Sequence, residues 1–145
     1  MENTGAANHL SNYIVYLTSN MNLSIYDQVI YVISILYFIT FITSAFISNA
    51  AVAIILSPLA ILLSDYFQTL DSSILVDPTR AFLMAICFGA SASFMTPIGY
   101  QTNLMVFAPG QYKFRDFIIV GLPLTLIFWF VATHYIPLFW PFIVK

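Results

Sequence analysis

Charge is what this sequence has least of: four lysines and arginines and six aspartates and glutamates among 145 residues. No basic run, and no interleaving of basic and aromatic residues, is present to hold a nucleic acid. The one cysteine, Cys87, excludes a disulfide framework or a thiolate metal site within the chain, and its apolar surroundings assign it to packing. The opening Met1-Glu2-Asn3-Thr4 lacks the basic start and short apolar core of a secretory leader, so no targeting segment is expected. Chemistry is excluded as well. The long apolar stretches hold no carboxylate for a proton relay, and no Ser/His/Asp or Cys/His constellation supports hydrolysis, so no enzyme is expected.

What is present is hydrocarbon. The chain is 61% hydrophobic, against roughly 45–50% for a soluble domain. Three uncharged stretches, Gln28–Ser64, Ala81–Tyr112 and Phe117–Val144, each exceed the roughly 20 residues that span a bilayer. The sequence therefore predicts an all-α membrane protein in contact with a lipid bilayer. Residues 4–17, with Leu10, Ile14 and Leu17 at helical spacing, predict an amphipathic helix, and Thr18–Asp27, rich in Ser and Asn, a surface loop. Residues 28–64 are broken at Ser48-Asn49, leaving a second apolar arm of about 15 residues. At ~1.5 Å per residue such an arm falls short of a bilayer core of about 30 Å, so a re-entrant helical hairpin is expected.

An aqueous loop, Asp65–Arg80 with Asp71 and Asp77, precedes a broken helix at 81–107. Its Gly89-Ala90-Ser91-Ala92-Ser93 run offers a small face for close helix packing, and Pro97 with Gly99 unwinds Pro97–Asn103. The last helix covers 117–141. Trp140, Tyr135 and Phe142 are expected as interfacial anchors, and Trp129 against lipid or a neighbour. Lys113 and Arg115 place the 113–115 loop in the cytoplasm, and Asp65–Arg80 with the C-terminus outside.

The two polar interruptions, Thr43–Ala50 and Ser93–Asn103, read as halves of one binding site. Backbone without helical bonds persists at membrane depth only when buried in protein or lining a wet cavity. Ser48 and Asn49 also serve as N-caps for the arm that follows. The free N–H groups of that helix start suit an anion, and the carbonyls of Ser44–Ile47 suit a small cation, a pairing that broken helices bring to secondary transporters. Pro97 alone would make a mere kink; Gln101, Thr102 and Asn103 are more polar groups than a kink needs. His134, with no carboxylate at helical spacing, is read as a structural interfacial histidine rather than a proton carrier.

The run Ser44, Ser48-Asn49-Ala50-Ala51-Val52-Ala53 and Pro58, followed by Ser91–Phe107 and by Phe114-Arg115-Asp116-Phe117 with Gly121-Leu122-Pro123-Leu124, resembles the C-terminal repeat of the divalent anion:sodium symporter family and of citrate transporter-like permeases in the wider ion transporter superfamily. The resemblance covers most of the chain. It implies half of an inverted-repeat transporter fold: a re-entrant hairpin, an interrupted transmembrane helix and a final helix, with an N-terminal repeat missing and a homodimer when complete. By position, Ser44, Ile47 (through its carbonyl), Asn49 and Gly99 would line a sodium site, and Asn49, Ala50 and Gln101 would face a small anionic substrate. No other cofactor is implied.

Two departures bear on the substrate. Ala50 stands where the family has threonine, and Tyr100-Gln101-Thr102 where dicarboxylate carriers have a Thr-Pro-Pro-like stretch. A lost hydroxyl weakens citrate or succinate as substrate, so the expected cargo is a dicarboxylate or a compact oxyanion such as sulfate, with sodium coupling expected and proton coupling as the alternative. The expected function is the C-terminal portion of a secondary active anion permease of the plasma (inner) membrane. The alternative is a truncated or accessory membrane subunit without transport of its own.

Overall fold

The computed structural model describes residues 5–19, 23–70 and 76–142; Asp71 lies outside them. Among the described residues all regular structure is helical: α1 (Ala6–Ser19), α2 (Ile25–Ser44), α3 (Asn49–Leu70), α4 (Thr79–Ser91), α5 (Gln101–Phe107) and α6 (Phe114–Phe139). Three of these, α2, α3 and α6, are long and apolar enough to cross a membrane.

Helix α2 begins three residues before the expected Gln28 because Ser24 caps it. Its hydroxyl accepts from the Asp27 N–H at 3.2 Å and donates to the Asp27 carboxylate at 2.6 Å. The first of these bonds satisfies a backbone donor that the helix start leaves free. Helix α1 also runs past its expected end, with the Thr18 hydroxyl bonded back to the Ile14 and Val15 carbonyls. The expected loop is correspondingly shorter, and residues 20–22 lie outside the described set. The buried stripe of α1 is Ala7, Ser11, Ile14 and Thr18, while Leu17 is exposed, so small and hydroxyl residues seat this helix against α3.

The second arm of the hairpin differs most from expectation. It continues through Asp65 to Leu70 for 22 residues, about 33 Å, so length no longer separates re-entry from a full crossing. Pro58 sits inside it without ending it. Its missing N–H would leave the Ile54 carbonyl unpaired, and the Ser57 hydroxyl donates to that carbonyl at 3.1 Å. The helix end is clasped to α4: the Asp77 carboxylate accepts from Ser64 Oγ at 2.9 Å, Gln68 Nε2 at 3.0 Å and the Thr79 N–H at 2.9 Å. Thr79 Oγ1 donates to the same carboxylate and lies 2.7 Å from Ser64 Oγ.

The core lies between α2, α3 and α4, where Val32, Leu36, Leu59, Leu63, Phe67, Phe82 and Ile86 are sealed. The small face of α4 packs as its composition predicts. A Cβ on Gly89 would stand 2.9 Å from the Tyr37 carbonyl and 3.0 Å from Thr40 Cβ, so α2 and α4 approach backbone to backbone. Helix α6 is peripheral, burying Gly121, Thr125, Ile136 and Pro137. Trp129 turns inward to donate to Ser34 at 3.1 Å and packs on Phe38. Phe142 is a core residue, stacked on Tyr26, not an interfacial anchor; its carbonyl accepts from the Val76 N–H. Tyr135 remains exposed and Trp140 is half-buried. Cys87 is exposed on α4, so it does not pack in this core.

Candidate ion and anion site at the two breaks

The first break is short. Helix α2 ends at Ser44, the chain turns through Ala45–Ser48, and α3 starts at Asn49. The cap is Ser48, whose Oγ accepts from the Ala51 N–H at 3.4 Å while its carbonyl takes the Val52 N–H. Asn49 is therefore the first helical residue and not a cap. Its side chain is free to turn inward.

The second break starts earlier than Pro97. Helix α4 stops at Ser91, residues 92–100 are non-helical, and α5 resumes at Gln101. The hydroxyls explain the early stop. Ser93 Oγ bonds to Asn49 and to the Gly99 carbonyl, and Thr96 Oγ1 bonds to the Ala45 carbonyl across the gap, taking up groups a continuing helix would direct elsewhere. Thr96 is also held before Pro97, a position biased away from helix. Its Oγ1 accepts from the Gly99 N–H at 3.0 Å. Asn103, on α5, fastens the loop by donating to the Thr96 carbonyl at 3.1 Å and the Ser93 carbonyl at 3.4 Å.

Asn49 Oδ1 is where the two breaks meet. It accepts from Ser44 Oγ at 2.7 Å and from Ser93 Oγ at 3.1 Å. Ser44 Oγ also lies 2.7 Å from the Ala90 carbonyl, and Ser93 Oγ lies 3.3 Å from the Gly99 carbonyl. Each hydroxyl has one proton and two acceptors, so the cluster holds more lone pairs than protons. Gly99 packs closely here, since a Cβ would stand 3.1 Å from the Ser44 carbonyl, Ser93 Cβ and Thr96 Oγ1. An all-oxygen, proton-poor set is the donor chemistry that a hard cation takes, and these residues fit a sodium ion in that sense.

Of the residues expected for the cation, Ser44, Asn49 and Gly99 are brought together. Ile47 is expected through its carbonyl, on which neither its exposed side chain nor the bond from its N–H to the Thr43 carbonyl bears. Of those expected for the anion, Ala50 and Gln101 are both exposed, Ala50 beside the cluster in the first turn of α3 and Gln101 opening α5. Thr102 is exposed also, and of the three polar residues after Tyr100 only Asn103 turns inward. Sequence reasoning passed over Ser93 and Thr96 as site residues. Their signal was hydroxyls immediately flanking the point where the helix must break.

Gly121 completes the frame. A Cβ there would lie 2.2 Å from the Phe94 carbonyl oxygen and 2.9 Å from Met95 Cα, so α6 lies directly against the unwound strand. Thr125 Oγ1 sits 3.3 Å from the Ala92 carbonyl. His134 is exposed, its Nδ1 2.9 Å from the Phe130 carbonyl and its ring stacked on Phe130, apart from the cluster.

Three helices of membrane-spanning length and composition place the chain in the class of integral membrane proteins. The family of citrate transporters matches residues 1–143, and the chain belongs to that family. It is 36% identical to an uncharacterized transporter of Synechocystis sp. over 88% of this chain and 18% of that protein. It is 34% identical to a probable sodium/sulfate cotransporter 3 of Chlamydomonas reinhardtii, over 92% of this chain and 13% of that one. Sodium/sulfate cotransporter 2 of the same alga is 33% identical over 91% and 14%. The chain thus spans less than a fifth of the length of these relatives. No solved structure matches it.

Proposed function

We propose that the chain is the C-terminal portion of a secondary active anion permease, carrying its half of a sodium site and of an anion site in the two breaks. One observation carries the reading: Ser44 and Ser93, from different breaks, both donate to Asn49 Oδ1, with the Ala90 and Gly99 carbonyls beside them. A sodium ion here accepts lone pairs from groups that have too few protons to share. The anion takes the neighbouring start of α3, where Asn49 and Ala50 bring backbone N–H groups and the positive end of the helix dipole. Gln101, exposed at the start of α5, is the substrate-facing residue proposed from the second break.

Sulfate is favoured over dicarboxylates on two grounds. Ala50 brings no hydroxyl for a carboxylate, and relatives carry the name sodium/sulfate cotransporter. A re-entrant hairpin, a preceding repeat, a homodimer of the complete transporter and a plasma membrane location with the 113–115 loop inside belong to this proposal. The second reading, an accessory or truncated subunit without transport of its own, draws on the chain spanning 18% or less of the three relatives above.

The test is sodium binding by the purified chain in detergent. Sodium, in place of choline at equal ionic strength, should raise the unfolding temperature, as a ligand of the folded state does, and the Ser44→Ala/Ser93→Ala double variant should lose that rise. Absence of a sodium effect on the unaltered chain would overturn the half-site. Transport separates the two readings: joined to a relative's N-terminal portion, the chain should support sodium-dependent sulfate uptake in liposomes, whereas an accessory subunit gives none.

A further inference from the structure

The oxygen cluster draws its members from both breaks: Ser44 and Asn49 from the first, Ser93 and the Gly99 carbonyl from the second. Its spacing is therefore set by whatever ties the breaks together. Among the described residues three hydrogen bonds do so, from Ser44 to the Ala90 carbonyl, from Ser93 to Asn49 and from Thr96 to the Ala45 carbonyl. The first two are made by cluster hydroxyls, each with a second acceptor to turn to. Only the third uses no hydroxyl of the cluster, so it persists when a cation draws on the cluster's lone pairs.

Thr96 has the character of a strut. Its side chain is 2% exposed, and branching at Cβ makes it stiff at χ1. Its one proton goes to the carbonyl of Ala45, the residue after Ser44, and a lone pair takes the Gly99 N–H at 3.0 Å. One hydroxyl thus fixes both walls of the cluster. Releasing it would strand a carbonyl and an N–H on two buried residues, Ala45 and Gly99, a cost that keeps the bonds closed. From the far side, Asn103 holds the Thr96 carbonyl at 3.1 Å.

Sodium and potassium carry the same charge and take the same oxygens. A site tells them apart by cavity size or by the number and field strength of its oxygens, and each depends on where the walls are held. Resting on the sodium site proposed above, we propose that Thr96 is a positioning residue for cation choice: its hydroxyl holds the two breaks at a spacing that favours sodium over the larger potassium.

The test compares the chlorides of sodium, potassium and choline, at equal ionic strength, on the purified full chain in detergent. Titrated rises in unfolding temperature give an apparent affinity for each ion, and the unaltered chain should bind sodium more tightly than potassium. Thr96→Val keeps the side-chain shape and removes both hydrogen bonds. A merely structural role lowers the unfolding temperature in all three salts alike; positioning also shrinks the sodium-to-potassium affinity ratio, by about tenfold, the equivalent of one net hydrogen bond. Thr96→Ser should restore the ratio. An unchanged ratio in Thr96→Val would overturn this inference and leave the sodium site standing, whereas no sodium effect on the unaltered chain would overturn both. Should Thr96→Val fail to fold, the unaltered chain decides through the Gly99 amide, which carbon-13 carbonyl isoleucine paired with nitrogen-15 glycine isolates, Ile98-Gly99 being the one Ile-Gly step in the sequence. That amide should resist hydrogen exchange in choline, before any ion binds, and rapid exchange there would overturn the proposal.

Discussion

Asn49 Oδ1 receives two hydroxyls that each have a second acceptor within 3.3 Å. Removing the amide therefore strands neither serine. Asn49→Ala should cost only ~0.5–1.5 kcal/mol of stability, about one net hydrogen bond, while abolishing the sodium-dependent rise in unfolding temperature. Asn49→Asp should fold and insert normally, since Ser48 and not Asn49 caps α3. Its charge strengthens cation binding and repels an anion at the adjacent helix start. Tighter sodium binding with lost sulfate uptake is the expected pair of results, and normal uptake by the aspartate variant would remove Asn49 from the anion site.

Asp77 gives the pH prediction at this scale. The Thr79 side-chain hydrogen bond, helped by the Thr79 N–H, Ser64 and Gln68 and opposed by slight burial, holds its pKa below the usual 3.8. A carboxylate lowered on folding stabilises the folded state above its unfolded pKa, and that contribution is lost as pH falls through the folded value. The α3–α4 clasp should accordingly loosen below about pH 4. Asp77→Asn should lower the unfolding temperature at pH 7 and by less at pH 3. A gap of equal size at both pH values would show that charge is not what holds the clasp.

At the scale of elements, much of the secondary structure was legible because lipid-length apolar runs need no tertiary information. The ends were not. Ser24 capping through Asp27, the extension of α3 past Asp65 and the early stop of α4 at Ser91 all depend on side-chain partners, two of them distant in sequence. The place of the two breaks was legible from their polar residues, and so was the close face at Gly89. Which polar groups turn inward was not: Gln101 and Asn103 are two residues apart on a seven-residue helix, and its rotation against Ser93 and Thr96 selects Asn103.

Gly121 shows the same dependence. Sequence marks a glycine in a hydrophobic helix; only the fold puts the Phe94 carbonyl 2.2 Å from where its Cβ would be. Gly121→Ala should push α6 off the unwound strand, at a cost of about 1–3 kcal/mol or more, read as a fall in unfolding temperature and a loss of the sodium effect. Gly89→Ala should be similarly costly, but through α2 against α4, with the break left in place. An unchanged unfolding temperature for Gly121→Ala would mean that α6 does not bear on the break.

At the scale of the molecule, the proposed orientation rests on the positive charges of Lys113 and Arg115. Val76 precedes α4 and is exposed, and Lys113 follows α5. With Cys87 replaced by alanine, single cysteines at positions 76 and 113 should label with a membrane-impermeant maleimide from opposite faces, position 113 from the cytoplasmic one. Labelling from one face would mean that α4, the second break and α5 together do not cross.

The two serine hydroxyls facing Asn49 are rotors as well as ligands. A hydroxyl turns about its Cβ–Oγ bond, and side-chain rotation takes picoseconds to nanoseconds. Ser44 can point its proton at the Ala90 carbonyl, and Ser93 can point its own at Gly99. Either turn presents a lone pair where Asn49 Oδ1 already offers one. On the proposed reading, an arriving sodium ion thus needs two torsions and no backbone rearrangement. Ion exchange at this half-site should run far faster than a turnover of the complete transporter, with the coupling ion at equilibrium during every cycle and the slow step lodged in the motion of helices.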